Sequence, residues 1–91
     1  MKPRHVFIVG RVQGVGFRDW LLREARAHHL QGWVRNRADG RVEAVLAGEE
    51  PAVEAVLLLC RRGPPLAQVT EIVESFAELP EEPGFIRRPT L

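Results

Sequence analysis

Nine consecutive residues, Gly10-Arg11-Val12-Gln13-Gly14-Val15-Gly16-Phe17-Arg18, carry an apolar strand pattern into a glycine-rich loop and deliver one arginine to the start of a helical pattern. That combination builds an anion site. Gly14 and Gly16 permit a tight turn and a close approach of main chain to ligand, and the first amides of the following helix have no intrahelical acceptor. Arg18 adds a planar, permanently charged fork that suits two phosphate oxygens at once. A second segment lies about one helix further on, Gly32-Trp33-Val34-Arg35-Asn36-Arg37-Ala38-Asp39-Gly40.

Spacing narrows the ligand. The loop lacks the Gly-Lys-Ser/Thr ending of a magnesium-dependent nucleoside triphosphate site and the Gly-x-Gly-x-x-Gly of a dinucleotide site, so the anion should be small. No Ser/His/Asp or Cys/His set has recognisable spacing, and no cluster of His, Cys and carboxylates resembles a metal site. No metal and no cofactor are expected. His28-His29 reads as the cationic end of a helix and His5 as incidental, while Asp39 reads as a turn former. Trp20 and Trp33 are expected to pack in the core.

The elements that must hold these residues follow from periodicity. His5 to Val9 is β-branched and aromatic and reads as a strand. Residues 17–30 read as a helix, with Phe17, Trp20, Leu21 and Ala25 on one face and Gly32 as terminator. Residues 33–36 and 41–46 alternate around the Asp39-Gly40 turn signal and predict a hairpin. Glu49-Glu50-Pro51 opens a second helix, whose stripe Val53, Val56, Leu57 and Cys60 is stopped by Gly63-Pro64-Pro65. Residues 69–77 read as a strand at a sheet edge, and Phe85-Ile86-Arg87-Arg88 as a short last strand. The order β-α-β-β-α-β predicts an α+β, ferredoxin-like sandwich, an antiparallel sheet with two helices on one face.

Ninety-one residues, 45% of them apolar, are enough for one domain spanning residues 1–91 but not for two. No apolar run approaches the roughly 20 residues of a membrane span, and no secretory signal is visible, which favours the cytoplasm. The lone Cys60 can form no internal disulfide. The net charge of +1 conceals nine Lys or Arg against three Asp or Glu in residues 1–41, and four against nine in residues 42–91. A positive field around the loop would draw in an anion.

Val12-Gln13-Gly14-Val15, Phe17-Arg18, Gly32-Trp33-Val34-Arg35-Asn36 and Asp39-Gly40 together resemble the two signature segments of acylphosphatases, and Gly63-Pro64-Pro65-Leu66-Ala67 is also similar to family members. The resemblance covers nearly the full chain. It implies that Arg18 holds the phosphate, that the backbone amides of Gln13, Gly14, Val15, Gly16 and Phe17 cradle it, and that Asn36 positions the attacking water. Two features depart from the pattern. Asp19 places a carboxylate beside Arg18, and Pro89-Thr90-Leu91 has no counterpart.

The implied chemistry is coherent on its own terms. An acyl phosphate releases a carboxylate, whose conjugate acid has a pKa of roughly 4, so the leaving group needs no general acid at neutral pH. The expected activity is hydrolysis of a carboxyl-phosphate anhydride to a carboxylate and inorganic phosphate, with a small acyl phosphate as partner. The alternative is a non-catalytic anion-binding module. Sheet aromatics in related architectures stack RNA bases, but Phe7, Trp33, Phe76 and Phe85 form no such motif here, so no nucleic acid partner is expected. Nothing requires more than a monomer.

Overall fold

A computed structural model describes residues 2–91. The chain runs β1 (Arg4–Arg11), α1 (Phe17–Ala27), β2 (Gln31–Asn36), β3 (Val42–Ala47), α2 (Glu50–Cys60), β4 (Gln68–Phe76) and β5 (Phe85–Arg87). The sheet order is β4-β1-β3-β2-β5. β1 pairs antiparallel with both β3 and β4, and β3 pairs antiparallel with β2, which gives the expected ferredoxin-like α+β arrangement. β5 then adds to the free edge of β2 in parallel, so the complete sheet is mixed.

Two helical stripes explain why both helices lie on the same face. Phe17, Leu21 and Ala25 of α1 and Val53, Val56, Leu57 and Cys60 of α2 are buried against Val6 and Ile8 of β1, Val34 of β2 and Val42, Ala44 and Leu46 of β3. Those strand positions alternate, as one-sided burial requires. Cys60 is fully buried in this core, as its place in the α2 stripe implied.

Alternation also decides the two tryptophans. Trp20 is half-buried and meets Phe17 edge to face, with ring centroids 5.3 Å apart, so it packs as expected. Trp33 does not join the core. Its neighbour Val34 takes the buried face, which turns Trp33 to the opposite face of the sheet, between the guanidinium groups of Arg35 and Arg88, each 4.7 Å from its ring.

That helix-free face is organised around one buried carboxylate. Glu43 is 5% exposed, and it accepts from Arg35 Nε at 2.7 Å, from Arg37 at 3.3 Å and from His5 Nε2 at 2.6 Å. Burial pushes the Glu43 carboxyl up, but the Arg35 guanidinium and the His5 ring outweigh it and hold the group below the usual carboxylate range.

α1 ends earlier than its apolar pattern suggests. His28 closes the helix, with its Nδ1 2.8 Å from the Glu24 carbonyl oxygen, and His29 takes the left-handed turn at φ 60°. The reversal is therefore made by a histidine, and Gly32 serves β2 instead. At φ 136°, Gly32 lies so close to the Val45 carbonyl that a Cβ would stand 1.8 Å from its oxygen. Among the described residues no helix is long and apolar enough to cross a membrane.

Candidate active site

The loop after β1 is shaped by two left-handed glycines, Gly14 at φ 74° and Gly16 at φ 79°. Alternating handedness of this kind lets successive N–H groups converge on one point. Gly16 is the N-cap of α1 and offers no side-chain acceptor, so the first-turn amides remain open to a ligand. The loop is also tied across the molecule. The Gln13 side-chain amide donates to the carbonyl of Arg37 at 2.7 Å and to that of Arg41 at 2.9 Å, on either side of the β2–β3 turn.

The turn itself is closed by Asp39, whose carboxylate accepts from the Arg41 amide at 3.1 Å and from its Nε at 2.8 Å. Asp39 thus performs the turn-forming role read from its neighbour Gly40. It does not line the cavity.

A cavity of about 110 Å³ opens between loop, helix and sheet. Val12, Gln13, Gly14, Gly16 and Phe17 wall one side, and Arg18 and Asp19 project from the first turn of α1. Asn36 closes it from the end of β2, and Arg87 from β5. Of the residues read from sequence, Arg18, Asn36, Gln13, Gly14, Gly16 and Phe17 come together here. Val15 stands apart, because its side chain packs on the core and the residue does not line the cavity. Among the described residues Arg18 makes no ion pair, whereas its neighbour Asp19 lies 2.6 Å from Arg87 Nη1.

Asn36 is held in the middle of paired strands. On one side it stands opposite Val42 of β3. On the other, the chain beyond β5 runs along it: Arg88 N donates to Val34 O at 2.8 Å, Leu91 N to Asn36 O at 3.1 Å, and Ala38 N to Leu91 O at 3.0 Å. The segment Pro89-Thr90-Leu91, unmatched in sequence, therefore braces the backbone of Asn36.

Arg87 is the cavity residue that sequence reading missed. Its spacing from Phe85 places both on the helix side of the sheet, and Arg87 stands opposite Val34 in the parallel pair. The alternation was visible, but the pairing of β5 with β2 was not. Arg26 secures that pairing from α1, donating from both Nε and Nη2 to the Phe85 carbonyl at 3.1 and 3.0 Å.

The chain that builds this cavity has clear relatives. Residues 4–86 match the acylphosphatase family model. The chain is 63% identical over 90 residues to an acylphosphatase of Acidiphilium cryptum, covering 99% of each chain. It is 50% identical over 91 residues to one of Rhodospirillum rubrum, covering all of both. The crystal structure of acylphosphatase from Bacillus subtilis superposes with a TM-score of 0.91 at 37% identity, covering 97% of this chain and 99% of that one. Family model, full-length similarity and fold agree, and the chain belongs to the acylphosphatase family.

Proposed function

We propose that this acylphosphatase hydrolyses its acyl phosphate by direct attack of water, with Arg18 and the amides of Gln13, Gly14, Gly16 and Phe17 holding the phosphoryl group and Asn36 orienting the water. The observation that carries this reading is that Arg18 and Asn36, from different elements, wall one cavity at the N-terminus of α1. A loose, metaphosphate-like transition state keeps its charge on peripheral oxygens, where the guanidinium and the amides can meet it. An amide removes no proton effectively, but its oxygen accepts from water and its nitrogen donates, so it can aim a lone pair along the in-line axis. The carboxylate leaves without a proton, and the site needs no general acid.

On the same reading, residues 1–91 act as one domain, as a monomer in the cytoplasm, on a small molecule rather than a nucleic acid. The sheet aromatics support the last point. Arg41 lies 3.9 Å from the Phe7 ring, and Arg35 and Arg88 flank Trp33, so arginines already occupy ring faces that bases would need.

The test is hydrolysis of benzoyl phosphate in chelator by wild type, Arg18→Ala and Asn36→Ala, each checked for folding. Loss of one preorganised group costs about 10²- to 10³-fold in turnover, and that is the fall expected for Asn36→Ala, with KM little changed. Arg18→Ala should raise KM as well as lower turnover. A fully active Asn36→Ala enzyme would remove the role assigned to that residue, and phosphate binding without hydrolysis by wild type would favour the non-catalytic module.

A further inference from the structure

The carboxylate of Asp19 is a problem for an anion site. It follows Arg18 directly, sits in the first turn of α1, and lines the same cavity. A fixed negative charge there opposes the phosphoryl group that Arg18 attracts. Its immediate neighbourhood supplies the answer, because Arg87 Nη1 lies 2.6 Å from Asp19 Oδ1 and Arg87 lines the cavity too.

We propose that Arg87 is a positioning residue that acts through Asp19, neutralising its charge at the cavity mouth so that Arg18 alone sets the local field on the phosphoryl group. This rests on the assignment of the cavity as the phosphate site. Three relationships carry it. Arg18 is left without an ion-pair partner among the described residues, while the adjacent Asp19 has one. Adjacent positions on a helix point in different directions, so Asp19 reaches outward to β5 and does not close on Arg18. β5 is locked to the same helix at its other end, where Arg26 donates twice to the Phe85 carbonyl, so the guanidinium of Arg87 is delivered to Asp19 by a strand fixed at both ends of α1.

The pair is about half exposed, with side chains 45% and 56% accessible, and an exposed pair adds little to stability. Its effect falls instead on ligand charge. Repulsion by an uncovered Asp19 acts on bound substrate and on the loose transition state alike, so it raises KM and leaves kcat nearly unchanged.

The experiment compares wild type, Arg87→Ala, Arg87→Lys and the double variant Arg87→Ala with Asp19→Asn, using benzoyl phosphate hydrolysis and competitive inhibition by inorganic phosphate. Arg87→Ala should raise both KM and the phosphate inhibition constant by about five- to twentyfold at low salt, and the penalty should shrink as salt screens it. Arg87→Lys keeps the charge and should retain most of the affinity. The double variant should return both constants to within about threefold of wild type, since it removes the carboxylate together with its partner. A double variant as weak as Arg87→Ala would overturn the proposal and make Arg87 a direct phosphate ligand, and an Arg87→Ala enzyme with unchanged constants would overturn it equally. An inactive wild type that still binds phosphate would count against the catalytic assignment, and the inhibition constants would be replaced by direct phosphate affinities in the same four proteins.

Discussion

The side-chain amide of Gln13 stands 2.7 Å from the carbonyl oxygen of Arg37, and this contact joins the loop after β1 to the hairpin that bears Asn36. With its second bond to the Arg41 carbonyl at 2.9 Å, one side chain ties the loop after β1 to both sides of the β2–β3 turn. Gln13 thus lines the cavity and also braces the hairpin from which Asn36 enters it.

Replacing Gln13 by alanine removes one of two donors from each of the Arg37 and Arg41 carbonyls, which keep the Gly40 and Arg37 amides, and frees the loop. Unfolding free energy should fall by about 1 to 2 kcal/mol, and turnover of benzoyl phosphate should fall more than the melting temperature alone would suggest. Gln13→Glu, which can only accept when ionised, should behave no better. Denaturant unfolding and kinetics on the same samples decide it, and turnover unaffected by Gln13→Ala would show that the loop keeps its shape without the brace.

Gly16 occupies a left-handed conformation at φ 79° with nothing within 4 Å of the place where a Cβ would stand. Space is free there, so the cost of a side chain is conformational. Gly16→Ala should lower stability by about 1 to 2 kcal/mol, and Gly16→Asn by less, because asparagine visits that region more readily. Equal stability of all three proteins would show that the loop relaxes to another turn.

Glu43 links acid stability to the helix-free face. Its carboxyl is held below the usual range, so the stabilisation it contributes is fully present above the unfolded value of about 4.3 and is lost as pH falls through its lower folded value. Glu43→Gln should cost about 1 to 3 kcal/mol at pH 7, through its charge-assisted bonds to Arg35, Arg37 and His5, and the deficit should narrow in that acid window. Denaturant midpoints for both proteins from pH 2 to pH 7 test the sign, since a deficit growing toward acid would reverse it.

Cys60 is fully buried, and burial, with the nearby Glu24 charge adding to it, pushes its thiol up to about 12. The thiolate is then scarce at neutral pH and shielded from reagent. A thiol-reactive chromophore should label the native protein only at the rate of unfolding, and one equivalent should react at once in denaturant. Fast native labelling would mean that α2 opens locally.

The order of strands and helices was readable because each apolar pattern has one period and each junction carries its own turn signal. Residues 69–77 read correctly as an edge strand from their charges, and β4 does lie at one edge. Residues 17–30 read three residues too long as helix, since apolar spacing continues to Leu30 while His29 supplies the turn usually left to glycine. Trp33 reads as a core residue, but strand alternation around Val34 sends it to the other face.

For the site, local sequence determined what is local: two glycines that turn the loop, a helix that starts with open amides, and the arginine it carries. Those depend on backbone conformation within a few residues, which residue type largely dictates. Only the tertiary structure decided what meets across the chain: Gln13 with the hairpin carbonyls, Leu91 along Asn36, and Arg87 with Asp19, 68 positions apart. The last two contacts follow from β5 adding in parallel to β2, and a three-residue strand carries too little pattern to name its partner, so the choice is made by the packing of Phe85 and the two hydrogen bonds from Arg26.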